Sequence, residues 1–134
     1  MKIIKTKFPE IKREILETLQ INIGYKCNQA CSHCHVDASP NRTEMMSDEI
    51  INLVPKVIKA NNIKLLDITG GAPELHPKFK QLVKEVRSLD VEVMDRCNLT
   101  ILTEPGHEEL ASFLASNKVQ ITASLPCYLQ DNVD

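Results

Sequence analysis

The first twenty residues, MKIIKTKFPEIKREILETLQ, contain no uninterrupted apolar run. Charges break them throughout, so neither a signal-peptide core nor a membrane span can form there, and the cytoplasm is the default compartment. An excess of one charge sign is also missing. The formal net charge is −2, which leaves no electrostatic case for a nucleic-acid partner or an anionic membrane surface. Low-complexity segments, linkers and sequence repeats are absent. The chain also lacks the second cysteine pair that zinc sites commonly use, yet five cysteines in 134 residues is a high count. In a reducing compartment this favours metal binding or thiol reactivity over disulfides, and an odd number fits a disulfide framework poorly.

What is present is an ordinary globular composition, 43% hydrophobic and 25% charged, on a chain long enough for one modest domain. Residues 1–17 read as an N-terminal helical extension, with Phe8, Ile11 and Ile15 closing the bottom of a sheet. From residue 18, strand-like and helical runs alternate. Leu19 to Ile23 alternates polar and apolar residues. Ser47, Asp48 and Glu49 start a helix as cap and first-turn acids. Its apolar face is Ile50, Ile51, Val54, Val57 and Ile58, with Pro55 as a bend. A strand from Lys64 to Thr69 leads to Gly70, Gly71, Ala72 and Pro73, and Pro77 opens a second helix. A third strand, Val91 to Arg96, a third helix near His107 to Ser116, and a fourth strand, Val119 to Ser124, complete the pattern.

Such alternation predicts an α/β fold with a parallel sheet and right-handed crossovers. Strands buried on both faces read as continuous apolar runs, but here Gln20 and Asn22, Asp67 and Thr69, and Gln120, Thr122 and Ser124 alternate with apolar residues. A parallel sheet with one polar face points to a barrel wall around a polar lumen; Glu92, Met94 and Asp95 do not sort cleanly. A complete eight-unit barrel takes about 250 residues. Residues 18–134 therefore read as the N-terminal half of a parallel (βα) barrel, about four strands and three helices, which a second chain or a missing half would complete.

The most informative run is CNQACSHC, carrying Cys27, Cys31 and Cys34 just after the first strand. Three thiolates on a short loop can hold three irons of a [4Fe–4S] cubane, whereas a plain electron-transfer cluster needs a fourth. The iron left open can bind and activate a small molecule. The alternative is a zinc site that adds His33 or His35. Gly70 and Gly71, at the end of the second strand, read either as a permissive strand-to-helix turn or as a close backbone approach to a ligand. Cys97 and Cys127 read either as small core residues or as soft thiols at the active-site end of the sheet. Asp67, Asp95, Glu74 and Glu104 form no acid–base pair visible in sequence.

CxxxCxxC after the first strand, with a Gly-Gly turn after the second, resembles the radical S-adenosylmethionine (SAM) superfamily. The resemblance implies that Cys27, Cys31 and Cys34 ligate a [4Fe–4S] cluster whose open iron chelates SAM. One electron from a reducing donor then yields a 5′-deoxyadenosyl radical. It further implies that the Gly70, Gly71 and Ala72 backbone meets the SAM amino group, that His33 packs near adenine, and that Ser124 serves the ribose. The blocks GYKCNQACSHCHVDASPNRTEMM, LDITGGAPELHP, DRCNLTILTEPG and ITASLPCYLQDNVD resemble the arsenosugar-biosynthesis branch. That branch implies adenosyl transfer to a small-molecule substrate, a dimethylated trivalent arsenical, for which Cys97 and Cys127 are substrate-side candidates.

Overall fold

The computed structural model describes residues 9–12 and 14–124. Strands and helices alternate as β1 (Thr18–Asn22), α1 (Asp48–Asn61), β2 (Leu65–Thr69), α2 (Phe79–Ser88), β3 (Glu92–Asp95), α3 (Leu110–Ser116) and β4 (Gln120–Ile121). Short 3₁₀ turns at Pro73–Leu75 and Thr100–Thr103 precede α2 and α3. All strand pairs are parallel, in the order β1-β2-β3-β4. A parallel partner is reached only by a crossover, and each helix supplies one. The fold is an α/β partial barrel, with four strands and three helices among the described residues.

Register sorts the side chains into two faces. Leu19 lies beside Leu66, and Ile21 beside Ile68; Leu66 lies beside Val93, and Ile68 beside Asp95. This face packs against Ile51, Val54 and Ile58 of α1, Phe79, Leu82, Val83 and Val86 of α2, and Leu110 and Leu114 of α3, forming one apolar core. The opposite face carries Gln20, Asn22, Asp67 and Thr69 in register, then Met94 and Gln120. The two-faced sheet is therefore observed, and the third strand sorts as well. Glu92 and Met94 join the polar face, while Asp95 enters the core.

Local sequence explains the element ends. Ser47 accepts the Ile50 N–H at 3.4 Å, Asp48 and Glu49 occupy the first turn of α1, and Asn62 closes the helix with φ 53°. The helix runs on through Pro55, which cannot donate to the Ile51 carbonyl. Ile50 and Val57, expected on the buried face, are instead exposed, because the stripe that meets the sheet is Ile51, Val54 and Ile58. Pro77 does not open α2. The backbone first turns at Pro73–Leu75, and α2 begins at Phe79 after an N-cap at Lys78, whose N–H donates to His76 Nδ1 at 3.0 Å. That fixes the ring tautomer, so His76 Nε2–H donates to the Met46 carbonyl at 2.9 Å and ties the start of α2 to the loop before α1.

The N-terminal segment differs from the sequence expectation. Residues 9–12 and 14–17 form no helix, and Ile11 and Ile15 are 79% and 81% exposed rather than docked under the sheet. Glu10, Lys12, Glu14 and Glu17 surround them and oppose burial. Phe8 lies outside the described residues.

Ile68 is completely buried in the middle strand. Replacing it with alanine should cost about 2–5 kcal/mol by denaturant unfolding, the range for deleting a buried aliphatic side chain. A loss below about 1 kcal/mol would contradict a tightly packed sheet face.

Candidate functional site

β1 does not end at its last paired residue. Ile23 N–H still donates to the Thr69 carbonyl at 3.0 Å, and Met46 N–H returns to the Ile23 carbonyl at 3.0 Å, closing a long loop at the C-terminal end of the strand. Inside it, Tyr25 N–H donates to Glu44 O at 2.9 Å, Cys27 N–H to Ser39 O at 3.1 Å, and Ser39 N–H to Tyr25 O at 3.2 Å. Arg42 gathers the same loop from its surface. It donates through Nη1 to the Asp37 carbonyl at 2.7 Å and through Nε to Glu44 at 2.9 Å, and its guanidinium lies 4.8 Å from the centre of the Tyr25 ring. This pairing holds the Glu44 carboxyl down at about 2.

Cys27, Cys31 and Cys34 sit on this framework as thiols rather than disulfides. Hydrogen-bond donors face the Cys27 and Cys34 sulfurs. Gln29 N–H and Asn98 Nδ2 each lie 3.5 Å from Cys27 Sγ, and Ala38 N–H lies 3.3 Å from Cys34 Sγ. Donors aimed at sulfur stabilise thiolate ligands of an iron–sulfur cluster. His33 and His35 are both solvent-exposed.

The turn after β2 lies directly against this loop. Gly71 N–H donates to Gly24 O and Ala72 N–H to Lys26 O, both at 2.9 Å. A Cβ on Gly70 would stand 2.6 Å from Gly24 O, and one on Gly71 would stand 2.5 Å from Lys26 O and 2.9 Å from Ala38 Cβ. The glycines are needed because two backbones touch here. The Ala72 carbonyl accepts the Leu75 N–H at 3.0 Å, so the acceptors that the turn offers an amine donor are the Gly70 and Gly71 carbonyls.

On the polar face, Arg96 grips Asp67 with two bonds of 2.8 Å, and Gln20 Nε2 adds a third of 2.7 Å. Arg96 first, then Gln20, depresses the Asp67 carboxyl against the opposing effect of burial. On the other face, Glu74 and Asp95 come together with Cys97. Their carboxylate oxygens are buried and find no donor among the described residues. Burial, reinforced by Glu74, pushes the Asp95 carboxyl up to about 9, so it holds a proton that it can share with Glu74.

This arrangement corrects the substrate-side reading of Cys97. The side chain is completely buried. Strand alternation turns it to the helix-covered face, with Asp95 rather than Arg96, and burial with the Glu74 carboxylate keeps its thiol protonated. Such a sulfur cannot present a thiolate to a ligand in the lumen. Ser124 is exposed, with its N–H on the Cys97 carbonyl at 3.3 Å. Cys127 lies outside the described residues. Sequence reasoning missed Arg96, Arg42 and Asn98. Arg96 and Asn98 left a signal, since both continue the alternation of Glu92 and Met94 beside Asp67.

A family model described as the Radical SAM superfamily matches residues 21–126 of this chain. The chain is similar to three proteins named "Probable GTP 3′,8-cyclase". That of Sulfurisphaera tokodaii is 30% identical over 76 residues, which is 57% of this chain and 24% of the relative. That of Saccharolobus solfataricus is 32% identical over 77 residues, 58% and 25% respectively. One from Saccharolobus islandicus is 34% identical over 74 residues, 55% and 24%. The matches thus span about a quarter of these relatives' length.

Two substitutions probe the site. Gly71→Ala drives a methyl into backbone, so it should destabilise the chain by about 1–3 kcal/mol and accelerate amide exchange in the cysteine loop; unchanged exchange would refute the backbone stitch. Asp95 is raised in the fold from an unfolded value near 3.9, so its contribution is whole below about pH 4 and fades as pH climbs towards about 9. Asp95→Asn stays neutral, and should flatten the decline of Tm across that window relative to wild type. Parallel pH–Tm curves would show that Asp95 carries no buried proton.

Proposed function

Because the chain belongs to the radical SAM superfamily, we propose that Cys27, Cys31 and Cys34 bind a [4Fe–4S] cluster and leave its fourth iron to SAM. Members of the superfamily are enzymes that carry both groups. Reduced and loaded with SAM, such a cluster supplies a 5′-deoxyadenosyl radical. The chain's own part is to hold and orient. The thiolates fix the cluster at the strand end, the backbone of Gly70, Gly71 and Ala72 meets the SAM amine, His33 flanks the adenine, and Ser124 accepts the ribose. Supporting this reading is one observation above the rest: the three-cysteine loop is strapped to a Gly-Gly turn by Gly71 N–H and Ala72 N–H. That sets the three-cysteine loop beside the backbone of Gly70, Gly71 and Ala72.

The substrate is a small molecule, and two candidates follow. The sequence blocks favour adenosyl transfer to a dimethylated trivalent arsenical. With Cys97 in the core, Cys127 is the remaining thiol proposed to meet it. The relatives' names point to GTP instead, although the matches cover only about a quarter of those proteins. Turnover also takes a reducing electron donor, and a second chain or further residues to complete the barrel wall. The arsenical is the reading we carry forward, on the block-by-block likeness.

Anaerobic reconstitution with iron and sulfide should give a brown protein with broad absorption at about 400 nm and about four irons per chain. Serine at any of Cys27, Cys31 or Cys34 should abolish it, whereas Cys97→Ser should not. Added SAM should alter the electron paramagnetic resonance spectrum of the reduced cluster. A colourless, zinc-loaded chain would overturn the cofactor reading. With SAM, dithionite and each candidate in turn, product analysis should find an adenosylated arsenical; a product from GTP alone would replace the substrate assignment.

A further inference from the structure

We propose that Asn98 is a positioning residue for the cluster, setting the charge and placement of the Cys27 sulfur through a donor delivered from the loop after β3. This deepens the cofactor reading above and rests on it. Asn98 follows Arg96 by two residues, so it shares the lumen-facing parity and emerges at the sheet's C-terminal end beside the cysteine loop. Its amide is oriented by contacts on both sides. Asn98 Oδ1 accepts from Thr100 Oγ1 and from Ile101 N–H, each at 3.1 Å. That fixes which end of the amide is nitrogen, and Nδ2 donates to Asn28 Oδ1 at 2.8 Å and towards Cys27 Sγ at 3.5 Å. Asn28 Nδ2 in turn donates to Thr100 Oγ1 at 2.8 Å and to Glu104 Oε1 at 3.1 Å, so the two loops are locked reciprocally.

The backbone is shaped for this purpose. Leu99 takes φ 62° and ψ −30°, a region that a leucine rarely adopts. Its N–H is held by Cys97 Sγ at 3.3 Å and its carbonyl by Leu102 N–H at 3.1 Å. Buried Cys97 is thereby connected to the cluster wall without reaching the lumen. It anchors the turn that aims Asn98.

A donor on a ligating sulfur withdraws charge and favours the reduced, more negative cluster. Losing it should make reduction harder. Outer-shell partners of metal ligands commonly account for at least tenfold effects. In anaerobically reconstituted protein, Asn98→Ala should therefore lower the ratio of reduced to oxidised cluster about tenfold at fixed applied potential, a shift of about 59 mV for one electron. Asn98→Asp keeps the acceptor for Thr100 and Ile101 but cannot donate to sulfur, so it should shift at least as far. In metal-free protein, Asn98→Ala should also speed amide exchange around Cys27 while α1 and α2 exchange as in wild type. If wild type builds its cluster and both variants titrate within about twofold of it, the proposal is overturned and the cofactor reading stands. Faster exchange with an unmoved potential overturns it too, leaving Asn98 a mere loop clamp. If wild type builds no cluster, both fall.

Discussion

The site depends on a contact between two stretches of backbone. Beyond their paired residues, the chains leaving β1 and β2 stay close enough for Gly71 and Ala72 to donate to Gly24 and Lys26. The cysteine loop puts Cys27 and Ala38 into the core and packs Cys34, Val36 and Met46 against it. This ladder-like continuation, together with the cross-loop bonds at Tyr25, Cys27 and Ser39, fixes its backbone. Side chains cannot intrude at the crossing, because a Cβ on Gly70 or Gly71 would overlap a carbonyl. The glycines thus position thiols that lie far from them in sequence.

Beneath that crossing, the sheet separates two electrostatic environments. On the lumen face, Asp67 is neutralised by a bidentate arginine and a glutamine, so a buried carboxylate is stable and can line a polar cavity. On the helix-covered face, one residue along, Asp95 and Glu74 have no cation and no donor among the described residues. There the cheaper solution is to keep a proton. Alternation of side chains along β3 separates the two outcomes: Asp95 and Cys97 turn into the core, Arg96 and Asn98 towards the lumen and the cluster wall.

Much of this was legible in sequence. Strand–helix order, the polar and apolar faces of β1 and β2, the capping of α1 by Ser47, and the cysteine spacing all follow from short-range periodicity, which a strand or helix cannot violate without losing its core. Where the reading failed, the deciding contact lay elsewhere in the chain. Ile50 and Val57 look as apolar as Ile51 and Ile58, and only the angle at which α1 meets the sheet selects among them. Pro77 has the form of a helix opener, but α2 begins only at Phe79, and His76 beside Pro77 is held by Met46 from another segment. Cys97 sits in a polar sequence context that hides a fully buried side chain.

By itself the sequence determined the class of fold, the superfamily and the three thiols, because each is written in spacing along a single strand, helix or loop. Tertiary structure alone decided which face each β3 residue takes, that Glu74 and Asp95 share one buried pocket, and that Asn98 meets Cys27 across 71 positions. Such pairings depend on strand register and on where loops leave the sheet, and neither leaves a periodic trace in the order of residues.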